Sequence, residues 1–115
     1  MVRTLGGNRQ RMLATIRAAL GEARRAIACS EQWLAIAREI GDRRGEANAL
    51  EALGLAYKDL GEMDGVEDYH LQAMHIQQEI GDVSGAARNS WNLGLLYKAQ
   101  GDLARAAALM QVDVD

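Results

Sequence analysis

The six residues Leu-Gly-Leu-Ala-Tyr-Lys at positions 53–58 recur, with one change, as Leu-Gly-Leu-Leu-Tyr-Lys at positions 93–98. The same shift of 40 residues aligns segment 35–42 with segment 75–82, and both contain an isoleucine, a Glu-Ile pair and a Gly-Asp pair at matching places. Because two separate segments give one period, the chain is predicted to contain an internal repeat of 40 residues.

Glycine punctuates this repeat at a spacing of 20. An acidic residue follows each of the five glycines, giving the pairs Gly21-Glu22, Gly41-Asp42, Gly61-Glu62, Gly81-Asp82 and Gly101-Asp102. Glycine readily adopts the left-handed conformation that ends a helix. An acid just after it can cap the next helix and interact favourably with its dipole. Five such signals predict six helical segments, so the repeat unit is a helical hairpin.

Composition also favours an all-α fold. The 115 residues include no proline, 49% are hydrophobic and 25% are charged, which is ordinary for a soluble globular domain. Proline breaks helices, and the abundant Ala, Leu, Glu, Gln and Arg favour them. No segment shows the alternation of a β-strand over a useful length. The length corresponds to one domain.

The repeated segment places apolar residues on one side of a helix. Leu50, Leu53, Gly54 and Tyr57 are separated by three, one and three positions, and Leu93, Gly94 and Tyr97 occupy the corresponding places. A glycine inside a helix costs roughly 1 kcal/mol relative to alanine. The repeated glycine therefore predicts that another backbone or a large ring approaches the helix at this point.

The pattern Leu-Gly-x-x-Tyr, followed by a Gly-Asp/Glu turn and an early small residue in the next helix, resembles the tetratricopeptide repeat. The sequence Glu-Ile-Gly-Asp-x-x-Gly-x-Ala at 39–47 and 79–87 is similar to a 40-residue variant found in bacterial signalling proteins, kinesin light chains and spindle-orientation adaptors. This resemblance implies a right-handed α-α superhelix, or solenoid, of about three helical hairpins with six helices. The units would be 1–40, 41–80 and 81–115, the last with a short final helix.

The first unit departs from this pattern. Ala14 and Arg17 stand where the other units have glycine and tyrosine, and Trp33 stands in the place of the small Ala73. We therefore describe residues 1–40 as a degenerate unit whose packing differs from that of the others.

The resemblance also implies a binding groove lined by the first helix of each hairpin. It assigns nine residues to peptide binding: Asn48, Glu51, Leu55, Lys58, Arg88, Trp91, Asn92, Leu95 and Lys98. Asparagine can bond both polar groups of an extended backbone, arginine and lysine suit carboxylates, and tryptophan is prominent at interfaces. The function implied is a non-catalytic adaptor or scaffold that binds a peptide or helix of a partner protein. In the alternative interpretation Trp91 packs between units, while Lys58 and Lys98 only solvate the surface.

A second hypothesis is structural. The exposed ends of a short solenoid bury apolar faces by association, so the chain could form a homo-oligomer or be a fragment of a longer repeat array. Charge is unevenly spread, at +4 for residues 1–40 and −6 for residues 41–80, which permits association between copies.

Other function classes receive little support. No basic face runs the length of the chain, which argues against nucleic-acid binding, and no apolar stretch is long enough to span a bilayer, so no membrane role is expected. His70 and His75 are five apart and unsuited to chelating one ion. We predict no catalytic residues, no metal site and no cofactor. The lone Cys29 favours a reducing compartment, and the predicted location is the cytoplasm.

Overall fold

A computed structural model describes residues 2–110, with side chains from residue 9 onward. These residues form five helices: α1 (Val2–Ile40), α2 (Arg43–Leu60), α3 (Val66–Glu79), α4 (Val83–Ala99) and α5 (Leu103–Met110). Each helix packs against the one before it and the one after it, and this part of the chain has no strand. The predicted all-α class is confirmed. In residues 2–110 no helix combines the length and apolarity needed to cross a membrane.

Four of the five Gly-acid pairs end a helix as predicted. Gly41, Gly61, Gly81 and Gly101 have φ angles of 74°, 85°, 75° and 83°. In each case the N–H of the following acid donates to the carbonyl five residues earlier, at 2.8–2.9 Å, as from Asp42 to Ala37. This is the Schellman pattern that satisfies the last carbonyls of a helix.

The aspartates, but not the glutamates, then begin the next helix. A side-chain oxygen of Asp42 accepts a hydrogen bond from the Gly45 N–H at 2.9 Å, and Asp82 and Asp102 cap α4 and α5 in the same way. Glutamate is not among the favoured N-cap residues. After Glu62 the chain therefore runs on, and α3 begins at Val66 rather than near residue 63 as the repeat predicts.

The fifth pair, Gly21-Glu22, does not break the chain, so the prediction of six helices is wrong for the described residues. Gly21 is absent from the glycines with positive φ and lies within the 39-residue α1. Helical glycine costs only about 1 kcal/mol, and the alanines around it favour the helix. The first unit is consequently one long helix rather than a hairpin. At about 1.5 Å per residue α1 is about 58 Å long, close to the molecule's largest dimension of 57 Å.

The last predicted helix is only partly described. Residues 103–110 form α5, and the expected continuation over 111–114 lies outside the described residues. Within α5, Leu103 is exposed and Ala106 is buried.

The predicted apolar stripe forms the core. Leu50, Leu53 and Leu93 are fully buried. One cluster joins Ala47 and Leu50 of α2 to Ala73 and Ile76 of α3. A second cluster joins Val66 of α3 to α4 and to Ala106 of α5. Because each cluster links consecutive helices, the core extends along the stack instead of filling one centre.

The helix-internal glycines allow the close approach that their repetition predicts. A Cβ on Gly54 would stand 2.9 Å from Nε2 of His70, so an aromatic ring fills this space. At Gly94 the neighbour is the side chain of Met110, whose Cγ would lie 2.7 Å from such a Cβ. The predicted large ring is confirmed at Gly54, but at Gly94 the prediction of a backbone or ring is wrong, because a flexible methionine side chain makes the approach.

A fully buried polar group joins α3 to α4. Nδ1 of His70 donates to Oδ1 of Asn89 at 2.9 Å, and Nδ2 of Asn89 donates to Oε1 of Gln77 at 2.7 Å. All three side chains are buried. Because buried polar atoms are costly without partners, this arrangement fixes the register of α3 against α4.

Candidate functional site

The nine predicted binding residues lie on α2 and α4. Glu51 is buried, Asn48 and Asn92 are half-buried, and the exposed ones are Leu55, Lys58, Arg88, Trp91, Leu95 and Lys98. On each helix the residues recur at spacings of three and four, so they share one side of that helix. These sides of α2 and α4 therefore combine apolar, cationic and amide groups.

Two of the nine bind each other. Nε of Arg88 lies 2.7 Å from Oε2 of Glu51, and Nη2 of Arg88 lies 2.8 Å from Oε1. The side chain of Glu51 is 10% exposed, and the side chain of Arg88 is 52% exposed. These hydrogen bonds hold the pKa of Arg88 above its ordinary value. Both charges are thus satisfied within the chain, and the pair links α2 directly to α4 across the stack.

Six of the remaining seven residues form one surface, within which the leucines and lysines repeat. We use the name α2–α4 face for Asn48, Leu55, Lys58, Asn92, Leu95 and Lys98. Leu55 and Leu95 are one repeat apart and are 41% and 37% exposed. Lys58 and Lys98 are also one repeat apart, and both are exposed. Each helix therefore contributes an open leucine with a lysine one turn further on.

Trp91 is not packed in the core, contrary to the alternative interpretation. Trp91 lies in α4 at the repeat position that Glu51 occupies in α2. Glu51 is bonded by Arg88, which belongs to α4, the first helix of the next unit. The indole is half exposed and borders a cleft of about 480 Å³ with Ala87, Ser90, Leu109 and Met110. Trp91 thus lies at the edge of the α2–α4 face, toward the end of the stack.

A second cleft, of about 520 Å³, was not predicted. It lies between α1, α2 and α3, and its lining includes Tyr57, Tyr69, Asp64 and Asp68. The two tyrosine rings stack with centroids 5.7 Å apart. Partial burial, and then the neighbouring Tyr69 and Glu31, raise the pKa of Tyr57. The repeat comparison showed Tyr57 but gave no sign of this stacking, because Tyr69 has no aromatic counterpart in the other units.

The described residues include no cluster of side chains suited to a metal ion. No group of three His, Cys, Asp or Glu side chains from this part of the chain could hold a metal ion. His70 is occupied within the core, and His75 lies on the surface 2.9 Å from Glu79.

Comparison with known families supports the repeat. Residues 49–84, which cover most of α2, all of α3 and the start of α4, match the family model described as tetratricopeptide repeat. No curated protein matches the chain. The family match falls on a segment made of two packed helices and the start of a third, and residues 49–84 are similar in sequence to a tetratricopeptide repeat.

Proposed function

We propose that this protein is a non-catalytic interaction module that binds a peptide or helix of a partner protein on the α2–α4 face. Tetratricopeptide repeats generally mediate protein–protein interaction, and residues 49–84 match that family. The observation that carries the proposal is the repeated pair of open leucines, Leu55 and Leu95, on two helices joined by the Glu51–Arg88 ion pair.

The chemistry of the face indicates what kind of peptide it would bind. Leu55 and Leu95 offer two apolar contacts at a fixed separation, and Asn48 and Asn92 can bond to an extended backbone. Because Glu51 and Arg88 neutralise each other, Lys58 and Lys98 supply the free charge of the face. We therefore expect a ligand that combines apolar side chains with acidic ones.

The same proposal includes the larger architecture. Units 41–80 and 81–115 stack as an α-α superhelix, with the α2–α4 face on its concave side. The fused α1 replaces the first hairpin. A cytoplasmic adaptor role fits the exposed free Cys29, since an unpaired thiol persists in a reducing compartment.

Selection from a displayed random peptide library tests this function without knowledge of the natural partner. Peptides selected on the unmodified protein should bind Leu95→Asp and Lys58→Glu at least tenfold more weakly, on the order of 1.4 kcal/mol or more. Leu71→Asp is the matched control, because Leu71 is as exposed as Leu95 but lies on α3. Equal binding to Leu95→Asp and Leu71→Asp would reject the proposed face.

A further inference from the structure

Residues 9–19 of α1 are not buried against any other described helix. Every residue from 9 to 19 is exposed. Met12, Leu13 and Ile16 nevertheless form an apolar stripe along one side of this segment. In proteins most helical stability comes from packing of an apolar side against another element. The stripe on residues 9–19 is therefore a surface on which a partner would stabilise α1.

The C-terminal half of α1 leaves a matching face open. Trp33, Ile36 and Ile40 are large, apolar and exposed. The repeat counterparts of Trp33 and Ile36 are Ala73 and Ile76 of α3. These two residues are buried against Ala47 and Leu50 of the preceding helix. Ile36 is 54% exposed, whereas Ile76 is 5% exposed. The open face is thus the one that a preceding helix covers in the next unit.

In the repeat pattern, the exposed apolar sides of residues 9–19 and 33–40 would face each other in one helical hairpin. They cannot meet within one chain, because α1 is a single continuous helix. Arg17 and Cys29 are the repeat counterparts of the stacked Tyr57 and Tyr69. In α1 they are twelve residues apart along one helix, which is about 18 Å at 1.5 Å per residue. The first half of a continuous α1 therefore cannot cover residues 23–40 of the same chain.

We infer that two copies of this chain associate by exchanging the N-terminal halves of α1. The two α1 helices lie antiparallel and cross near residue 23, so that residues 9–20 of each copy pack against residues 26–37 of the other. This is an isologous, two-fold arrangement in which each copy completes the hairpin of its partner. It covers five large apolar side chains per copy: Met12, Leu13, Ile16, Trp33 and Ile36.

The charges of α1 favour the antiparallel direction. Residues 9–20 contain three arginines and no acid, a net charge of +3, whereas residues 21–40 contain three glutamates and three arginines, a net charge of zero. An antiparallel pair brings the basic half of each helix beside the neutral half of the other, where glutamates are present. A parallel pair would place the arginine-only halves together. None of these residues belongs to the α2–α4 face, so the inference stands apart from peptide binding.

Light scattering after gel filtration tests the association. The unmodified chain should have twice the mass of one 12.5 kDa copy. Ile36→Glu should raise the dissociation constant at least about tenfold, because it places a charge in the exchanged interface. Val83→Glu is the control, since Val83 is exposed at the start of α4. A monomeric unmodified chain would overturn the inference, as would a dimer that Val83→Glu disrupts and Ile36→Glu does not.

Cross-linking distinguishes exchange from a chain that folds back on itself. Arg17→Cys places a thiol opposite Cys29 of the second copy, and mild oxidation should give a disulfide-linked dimer. Ala18→Cys is the matched control, because residue 18 faces away from the apolar stripe, and it should cross-link far less. Mixing isotopically light and heavy protein before mass spectrometry identifies 17–29 links between copies. A link found only within one chain would show that α1 bends at Gly21 and would overturn the inference.

Discussion

Gly54 of α2 lies directly against the imidazole of His70 on α3, and a Cβ at residue 54 would stand 2.9–3.2 Å from three ring atoms. The ring is 2% exposed and is held on its other side by Asn89. It cannot move aside without breaking a buried hydrogen bond. The absence of a side chain at residue 54 is therefore a condition for the packing of α2 on α3.

Gly54→Ala should lower the free energy of unfolding despite the better helix propensity of alanine. Overpacking a rigid site costs about 1–3 kcal/mol, against a gain of about 1 kcal/mol in propensity. Urea unfolding measures the difference. Gly94→Ala is the comparison, because its neighbour is the flexible side chain of Met110 and the loss should be smaller. A Gly54→Ala protein as stable as the parent would contradict this account of the contact.

Replacement by alanine should have opposite effects on stability at Gly61 and Gly21, two of the glycines that recur every 20 residues. Gly61 has a φ of 85°, so Gly61→Ala forces alanine into the left-handed region at a cost of about 1–2 kcal/mol. Gly21 lies inside α1, and a Cβ there would have only the tip of Arg25 nearby, at 4.0 Å. Gly21→Ala should increase helicity, measured by far-UV circular dichroism, and should stabilise α1 by about 0.5–1 kcal/mol. Destabilisation by both changes would indicate that Gly21 is also a turn.

The ion pair between Glu51 and Arg88 should stabilise the stack measurably. Exposed pairs contribute about 0.2–1 kcal/mol, and the two short hydrogen bonds of this pair place it at the upper end, near about 1 kcal/mol. A double-mutant cycle with Glu51→Gln and Arg88→Met measures this coupling energy by urea unfolding. Arg44→Met with Asp82→Asn is the control cycle, because those side chains are 3.6 Å apart at a single contact. Equal coupling energies in both cycles would show that the paired geometry adds nothing.

The pH dependence of Glu79 should report its contact with Arg43. Nη2 of Arg43 lies 2.6 Å from Oε2 of Glu79, and this hydrogen bond holds the pKa of Glu79 below its ordinary value. A lowered pKa stabilises the fold at pH above the ordinary glutamate value, and the contribution is lost as the pH falls through the lowered pKa. Arg43→Gln should raise the pKa of Glu79 in an NMR titration. Arg44→Gln should leave it unchanged, and a shift of the same size in both variants would point to a general charge effect.

The repeat made much of the fold predictable because the signals involved are local. A helix end at Gly41 or Gly81 depends on that glycine and on the few residues it bonds, and these are adjacent in sequence. The burial of Leu50 and Leu93 follows from the side of the helix on which they lie. The close approach at Gly54 also follows from its place in the stripe.

Parts of the candidate site could not be predicted because they depend on residues that are distant in sequence. Glu51 and Arg88 were both assigned to ligand binding, yet they are 37 positions apart and pair with each other. The stacking of Tyr57 on Tyr69 depends on how α2 crosses α3. The repeat predicts the helix on which Trp91 lies. It does not predict the exposure of Trp91, which among the described residues has no partner corresponding to the Arg88 that bonds Glu51.

The sequence by itself determined that this chain is helical, where four of its turns fall and which side of each helix is apolar, because backbone conformation and periodicity are local properties. Only the tertiary structure decided that Gly21 continues a helix. A lone Gly-Glu pair is too weak to end a helix unless the segments before and after it also pack against each other. Residues 9–20 and 23–40 do not do so within the continuous α1. The tertiary structure likewise decided which charges neutralise one another and which leucines remain exposed, since both depend on the neighbours that packing supplies.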